Sequence, residues 1–107
     1  MIELKFEVYA DTGGHYRWRL WSGSNKVAAS GESFASKSNA ERAANGFKSS
    51  ARTAKYTITG GGSAWYWNAK ASNGEKIATG GESFVSEASA RRSYENVRDN
   101  AGSATGP

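Results

Sequence analysis

The sequence predicts an α+β fold, in which two tandem βββα repeats form one antiparallel sheet with two helices packed on one face. The four letters GESF occur at residues 31–34 and again at 81–84. Short stretches of alternating apolar and polar residues precede each copy, and apolar residues at helical spacing follow it. Repetition at a fixed period is the sequence signature of a repeat architecture.

The repetition extends well beyond GESF. The segment "KVAASGESFASKSNAER" (26–42) aligns with "KIATGGESFVSEASARR" (76–92), and nine of the 17 positions are identical. Upstream the offset falls from 50 to 49, so that Trp18 matches Trp67 and the intervening hairpin differs by one residue. We assign repeat one to 4–51 and repeat two to 54–101 of a single domain (1–101), and expect a disordered tail over 102–107.

Each repeat begins with three predicted strands. "KFEVYA" and "KYTIT" are the first strands, "HYRWRLW" and "AWYWNAK" the second, and "KVAAS" and "EKIAT" the third. The alternation places Trp18 and Leu20 on one face of the second strand, and Trp67 and Ala69 on the matching face of its counterpart. The pair Asn73–Gly74 predicts a type I′ hairpin turn.

The GESF motif links the third strand to a helix. Apolar residues then recur at helical spacing, and a serine stands at each expected N-cap, Ser36 and Ser86. The motif's phenylalanines are expected to enter the core. We expect the carboxylates of Glu32 and Glu82 to accept backbone amides at the bend.

Composition argues against several classes of function. The 107 residues include no cysteine and one histidine, His15, so disulfides, thiolate catalysis and zinc sites built on clustered imidazoles are excluded. Neither GESFA nor GESFV completes a nucleophile-elbow motif, and "TGGGSAW" lacks the Lys-Ser/Thr of a phosphate loop. We expect no enzymatic activity, no catalytic residue, no metal and no cofactor.

Targeting signals are not evident in the sequence. "MIELKFEVYA" lacks the apolar stretch of a signal peptide, and no run approaches the roughly 20 apolar residues of a membrane span. We expect a cytoplasmic protein without a membrane partner, either a monomer or a weak dimer.

The segments "YRWRL" (16–20), "SGESFASK" (30–37), "NGEKIA" (73–78), "GGESFVSE" (80–87) and "DNA" (99–101) together resemble the YegP-like family of small proteins of unknown function. The resemblance covers nearly the whole chain. It implies tandem βββα units sharing one sheet, and it carries over no catalytic residue.

Two features depart from the family pattern. Repeat one has "SGSNK" where the family has NGE, which predicts a shorter hairpin. The chain ends "AGSATGP" where relatives often continue into an apolar strand, which predicts an open sheet edge.

The favoured functional hypothesis is non-catalytic binding by the sheet face opposite the helices. The net charge of +4 and a pI near 9.5 lean toward polyanions. Exposed rings interleaved with cations are one recurring design for binding single-stranded nucleic acid. The candidate residues are Tyr9, Arg17, Arg19, Trp21, Tyr66 and Lys70.

Two alternatives remain open. The same face, or an open sheet edge, suits a protein-interaction or inhibitor module, because Trp, Tyr and Arg are enriched at protein hot spots. The face could also be ordinary solvated sheet, in which Arg17, Arg19 and Glu7 form cross-strand ion pairs.

Overall fold

A computed structural model describes residues 4–107, so the first three residues of the predicted domain lie outside the described range. It contains six strands and two helices in the order βββαβββα, as the repeats predict. The elements are β1 (Leu4–Ala10), β2 (Tyr16–Ser22), β3 (Asn25–Ser30), α1 (Lys37–Ser50), β4 (Lys55–Gly61), β5 (Ala64–Lys70), β6 (Lys76–Thr79) and α2 (Glu87–Asn100), followed by a 3-10 turn at Ala101–Ser103.

All six strands form one antiparallel sheet in the order β1-β2-β3-β6-β5-β4. The repeats meet where β3 pairs with β6, through Ala29 opposite Thr79 and Ser30 opposite Ala78. This seam joins two units that are each too small to bury an adequate core alone. The predicted α+β fold is confirmed.

Both helices cover the same face of the sheet. α1 packs against β1, β2 and β6, and α2 packs against β5, β4 and β3. Trp18, Leu20, Trp67 and Ala69 are buried beneath them, as the alternation predicts. The hydroxyls of Ser36 and Ser86 accept the third backbone amide of each helix, which confirms both caps. Within residues 4–107, neither helix has the length and apolar character required to cross a membrane.

The hairpin at Asn73–Gly74 differs from the predicted type I′ turn. Gly74 alone has positive φ, at 88°. Its amide donates to Ala71, whose own amide donates to Glu75, closing a three-residue loop. A type I turn followed by a left-handed glycine produces this arrangement. The matching hairpin of repeat one is shorter, with two turn residues at Gly23 and Ser24, as predicted.

The C-terminal segment is ordered, contrary to the predicted tail over 102–107. Thr105 pairs in parallel with β1, accepting from the amide of Phe6 and donating its own amide to Leu4, both at 2.9 Å. Ala101 and Ala104 are buried. The physical reason is the repeat itself, because "AGSAT" occupies in repeat two the place of "ARTAK" (51–55), where the same two alanines recur.

The GESF segments extend the sheet at the end of each third strand. Phe34 exchanges two backbone hydrogen bonds with Tyr16, and Phe84 does the same with Trp65. Both phenylalanine rings pack against the core, as expected. The prediction for the glutamates is wrong: Glu32 and Glu82 are exposed, and neither carboxylate accepts a hydrogen bond from residues 4–107.

The side chain of Tyr56 links β4 to the end of α1, and its ionisation provides a test of the packing between the sheet and the helices. Its hydroxyl donates to the carbonyl of Ala51 at 2.7 Å, and its ring stacks on Tyr94 with centroids 5.1 Å apart. Burial, as the main cause, raises the pKa of Tyr56 to about 12. A raised pKa in the folded state means that the stabilisation is complete below pH 10 and is lost as the pH rises toward 12.

We therefore expect wild type to lose up to about 2 kcal/mol of unfolding free energy relative to Tyr56→Phe between pH 9.5 and 12. Urea denaturation of both proteins across this range measures the difference, and the phenylalanine variant subtracts the titration of every other group. Parallel stability curves for the two proteins would contradict the expectation.

Candidate nucleic-acid interface

The sheet face away from the helices, here called the outer face, concentrates the positive charge of the chain. The six strands carry seven of the 14 basic residues in the sequence; alternation places five of them on this face, and Lys26 and Lys76 stand opposite two outer-face residues, Trp21 and Lys70, at β-bulges. Within the part of the chain that the structure describes, Glu7 is the single acidic residue in those strands. The modest net charge of +4 therefore conceals strong segregation between the two sides of the molecule. The seven are Lys5, Arg17, Arg19, Lys26, Lys55, Lys70 and Lys76.

Three of these cations form a row across adjacent strands. Lys70 on β5 stands directly opposite Lys55 on β4 and directly opposite Lys76 on β6. All three are exposed, and no carboxylate of residues 4–107 lies within salt-bridge distance of any of them. Like charges directly opposite one another on a sheet are unfavourable. This lysine row, Lys55, Lys70 and Lys76, thus concentrates positive charge without a salt bridge among residues 4–107, although Glu32 and Glu75 line the same cavity as Lys76.

Arg19 lies in a compact cluster with Tyr9, Trp21 and Glu7. Its guanidinium carbon is 4.0 Å from the centroid of the Tyr9 ring and 5.2 Å from that of Trp21. The Nε of Arg19 donates to Glu7 Oε1 at 2.5 Å, and the Trp21 indole donates to the same oxygen at 3.0 Å. These two hydrogen bonds hold the pKa of Glu7 below its usual range. Glu7 is therefore ionised near neutrality and compensates the charge of Arg19.

Arg17 is also paired, although with a loop residue. Its Nε lies 3.3 Å from Asp11 Oδ2, while the other carboxylate oxygen accepts the backbone amides of Gly13 and His15. The hydrogen bond from the His15 amide is the main cause that holds the pKa of Asp11 below its usual range. His15 is exposed in this loop.

The centre of the outer face carries small side chains. Across the sheet, Arg19 is followed by Ala29 on β3, Thr79 on β6 and Asn68 on β5. Ala29 and Thr79, here called the central floor, separate the Arg19 cluster from Tyr66, which is 48% exposed. The face is therefore a shallow trough with larger groups on both sides.

The structure divides the sequence-predicted site residues into two groups. Tyr9, Arg19 and Trp21 lie together, with Arg17 beside them, whereas Tyr66 and Lys70 lie on the other repeat across the central floor. Sequence reasoning missed Lys55 and Lys76, the neighbours of Lys70. Strand alternation alone places Lys55 on the outer face. The alignment of Lys55 and Lys76 with Lys70 depends on a loop length and on the β-bulge between Ala69 and Lys70.

Comparison with known proteins places the repeats in a family. Residues 11–57 and 62–105 both match DUF1508, described as a domain of unknown function. The chain belongs to this family. Each matched DUF1508 copy begins just before the second strand of a repeat, β2 or β5. The first copy ends within β4, and the second ends at Thr105. The predicted YegP-like resemblance and the duplication are confirmed.

Two named relatives are similar to part of this chain. UPF0339 protein NMB1088 of Neisseria meningitidis serogroup B is 42% identical over 46 residues, which is 43% of this chain and 82% of the relative. UPF0339 protein NMA1193/NMA1859 of serogroup A matches equally. A match of this length is about one repeat.

Two solved structures show the same fold. UPF0339 protein SO3888 from Shewanella oneidensis has a TM-score of 0.76 at 20% identity, covering 94% of this chain and 86% of that one. The protein of unknown function yegP from E. coli has a TM-score of 0.78 at 22% identity, covering 98% and 91%.

Proposed function

We propose that this protein binds nucleic acid without catalysis, through the outer face of its sheet. The observation that carries the proposal is the lysine row, whose three adjacent ammonium groups lack acidic partners among residues 4–107. A polyanion relieves the repulsion between these groups and releases counterions on binding. Phosphates at regular intervals are the partner that such a row suits best.

The remaining groups of the face support a nucleic-acid partner rather than a simple anion. Tyr66 and Trp21 offer rings on which bases can stack, and Asn68 offers an amide that can both donate and accept hydrogen bonds. Arg19 contributes less charge than the sequence suggests, because Glu7 already compensates it. The lysines thus supply attraction, while the rings and the amide supply contacts to bases.

The test is an anisotropy titration with labelled oligonucleotides at several salt concentrations. The informative variant replaces Lys55, Lys70 and Lys76 with glutamine. We expect it to bind at least tenfold more weakly at low salt, and to reduce the slope of log K against log salt by about 2, because each phosphate contact contributes about 0.7 for single strands. Replacing Arg17 and Arg19 is less informative, since it also leaves Asp11 and Glu7 unpaired.

A charge-matched control separates the row from net charge. The triple variant Lys37→Gln, Arg42→Gln and Arg92→Gln removes three charges from exposed positions on the helices, on the opposite side of the sheet. It is expected to bind nearly as wild type does. No binding at low salt, or equal loss in both triple variants, would refute the proposal.

An open strand edge favours a protein partner as the second candidate. Thr105 covers the edge of β1 near Leu4 and Phe6, whereas among residues 4–107 no strand lies beside the outer edge of β4. An exposed edge can accept an added strand from another protein. Backbone pairing of this kind depends little on salt, so the salt series separates the two candidates.

A further inference from the structure

We infer that the outer face takes a single strand rather than a duplex, and that the strand crosses the sheet roughly perpendicular to the β-strands. This inference rests on the proposed nucleic-acid binding and specifies its mode. In the complex, phosphates lie along a line of cations near one end of the strands, and bases extend over the central floor toward the aromatic side chains.

The cation line spans five of the six strands. Arg19 is linked through Ala29 and Thr79 to Asn68, two residues before Lys70, so Arg17 on β2 lies at the same end of the strands as the lysine row. Neighbouring strands lie about 4.8 Å apart, so the line from Arg17 to Lys55 is about 19 Å long. That length accommodates a few consecutive phosphates of an extended chain. Because the line runs across the sheet, the bound backbone must do the same.

The gap at Gly31 keeps this line open to a backbone. A Cβ placed on Gly31 would lie 2.7 Å from the carbonyl oxygen of Lys76 and 3.1 Å from its Cγ. Gly31, which directly follows β3, thus contributes no side chain beside Lys76. The phosphates can approach the sheet closely at this point.

The aromatic side chains lie at the other end of the same strands. Tyr66 precedes Lys70 by four residues on β5, and Trp21 follows Arg17 by four residues on β2, about 13 Å in each case. A nucleotide together with an extended lysine side chain bridges such a separation. Between the two rows, Ala29 and Thr79 leave room for bases, and Asn68 can pair with a base edge.

A duplex cannot use this surface in the same way. Its bases are stacked on one another and its edges face the grooves, so an exposed ring on a flat sheet cannot reach their faces. A duplex would engage the cations alone. Tyr66 should therefore contribute to the affinity for single strands but not to the affinity for duplexes.

The experiment compares wild type, Tyr66→Ala, Tyr66→Phe and the lysine-row triple variant, with oligothymidines of about 4, 8 and 16 nucleotides and with duplexes of matched length. We expect single strands of 8 or more to bind at least tenfold more tightly than duplexes near 0.1 M salt. Tyr66→Ala should weaken single-strand binding about 5- to 100-fold without changing the salt slope. Tyr66→Phe should restore it, and neither variant should affect duplex binding.

Amide chemical-shift changes give an independent measure. With an 8-nucleotide strand, changes are expected at Tyr66, Asn68, Ala29 and Thr79 in addition to the lysine row. Equal or tighter binding of duplex, or no effect of Tyr66→Ala while the lysine variant weakens both forms, overturns this mode but leaves nucleic-acid binding standing. Absence of any binding overturns both. Tyr66 is exposed, so thermal unfolding of the variants is expected to match that of wild type.

Discussion

Trp18→Ala is expected to lower the free energy of unfolding by about 3–5 kcal/mol, the usual cost of truncating a fully buried large aromatic residue. Trp18 has no exposed surface and stacks on Phe47 with centroids 5.2 Å apart, while Phe6 meets it edge-on at 5.4 Å. This cluster joins β1 and β2 to α1. Because domains of this size have a total stability of about 5–15 kcal/mol, the variant should be close to its unfolding midpoint without denaturant.

The matched control is Trp21→Ala, in the same strand but on the outer face. The indole of Trp21 is only partly buried and donates to Glu7. Its removal should cost less than half as much. Urea denaturation followed by circular dichroism measures both. Equal midpoints for the two variants would mean that the helix face of β2 is not the core.

Gly31→Ala should destabilise the protein by about 2–3 kcal/mol, near the upper end of the usual cost of overpacking. The new methyl group would lie 2.7 Å from the Lys76 carbonyl oxygen, and backbone has little freedom to move away. The contact lies beside the seam where β3 and β6 pair through only two residue pairs. A shift there separates the two repeats and displaces Lys76 from the lysine row.

Gly46→Ala is the control for this change. Gly46 lies within α1 with open space at its Cβ position, so alanine should stabilise the helix by about 0.5–1 kcal/mol. The two substitutions add the same methyl group with opposite expected signs. A Gly31→Ala variant as stable as wild type would show that the seam adapts easily. The oligonucleotide affinity of the Gly31→Ala variant, measured in parallel, reports whether the lysine row has moved.

Local features of the fold were predictable because they depend on residues that are close together in the sequence. The caps at Ser36 and Ser86 depend on residues within one turn, and strand alternation depends on the nearest neighbours. The type I′ turn predicted at Asn73–Gly74 was wrong, because the pairing of Ala71 with Glu75 fixes a longer loop and overrides the preference of the Asn-Gly dipeptide. The prediction of a tail over 102–107 relied on composition, whereas the continuing repeat accounts for the pairing of Thr105 with β1 and the burial of Ala104.

The sequence by itself determined the duplication, the βββα order, the buried face of each strand and the membership in an uncharacterised family. Those properties follow from periodicity and from residues repeated at an offset of about fifty. The sequence offered an ion pair between Arg19 and Glu7 as one alternative, and the tertiary structure decided that this pair forms and that the three lysines of the row are aligned. Lys55, Lys70 and Lys76 lie on three consecutive strands, 15 and 6 residues apart in the chain, and register between the strands, fixed by loop length and a bulge, aligns them. Register likewise placed Glu7 against Arg19, so Arg19 has an acidic partner, whereas the three lysines of the row have no salt-bridge partner among residues 4–107.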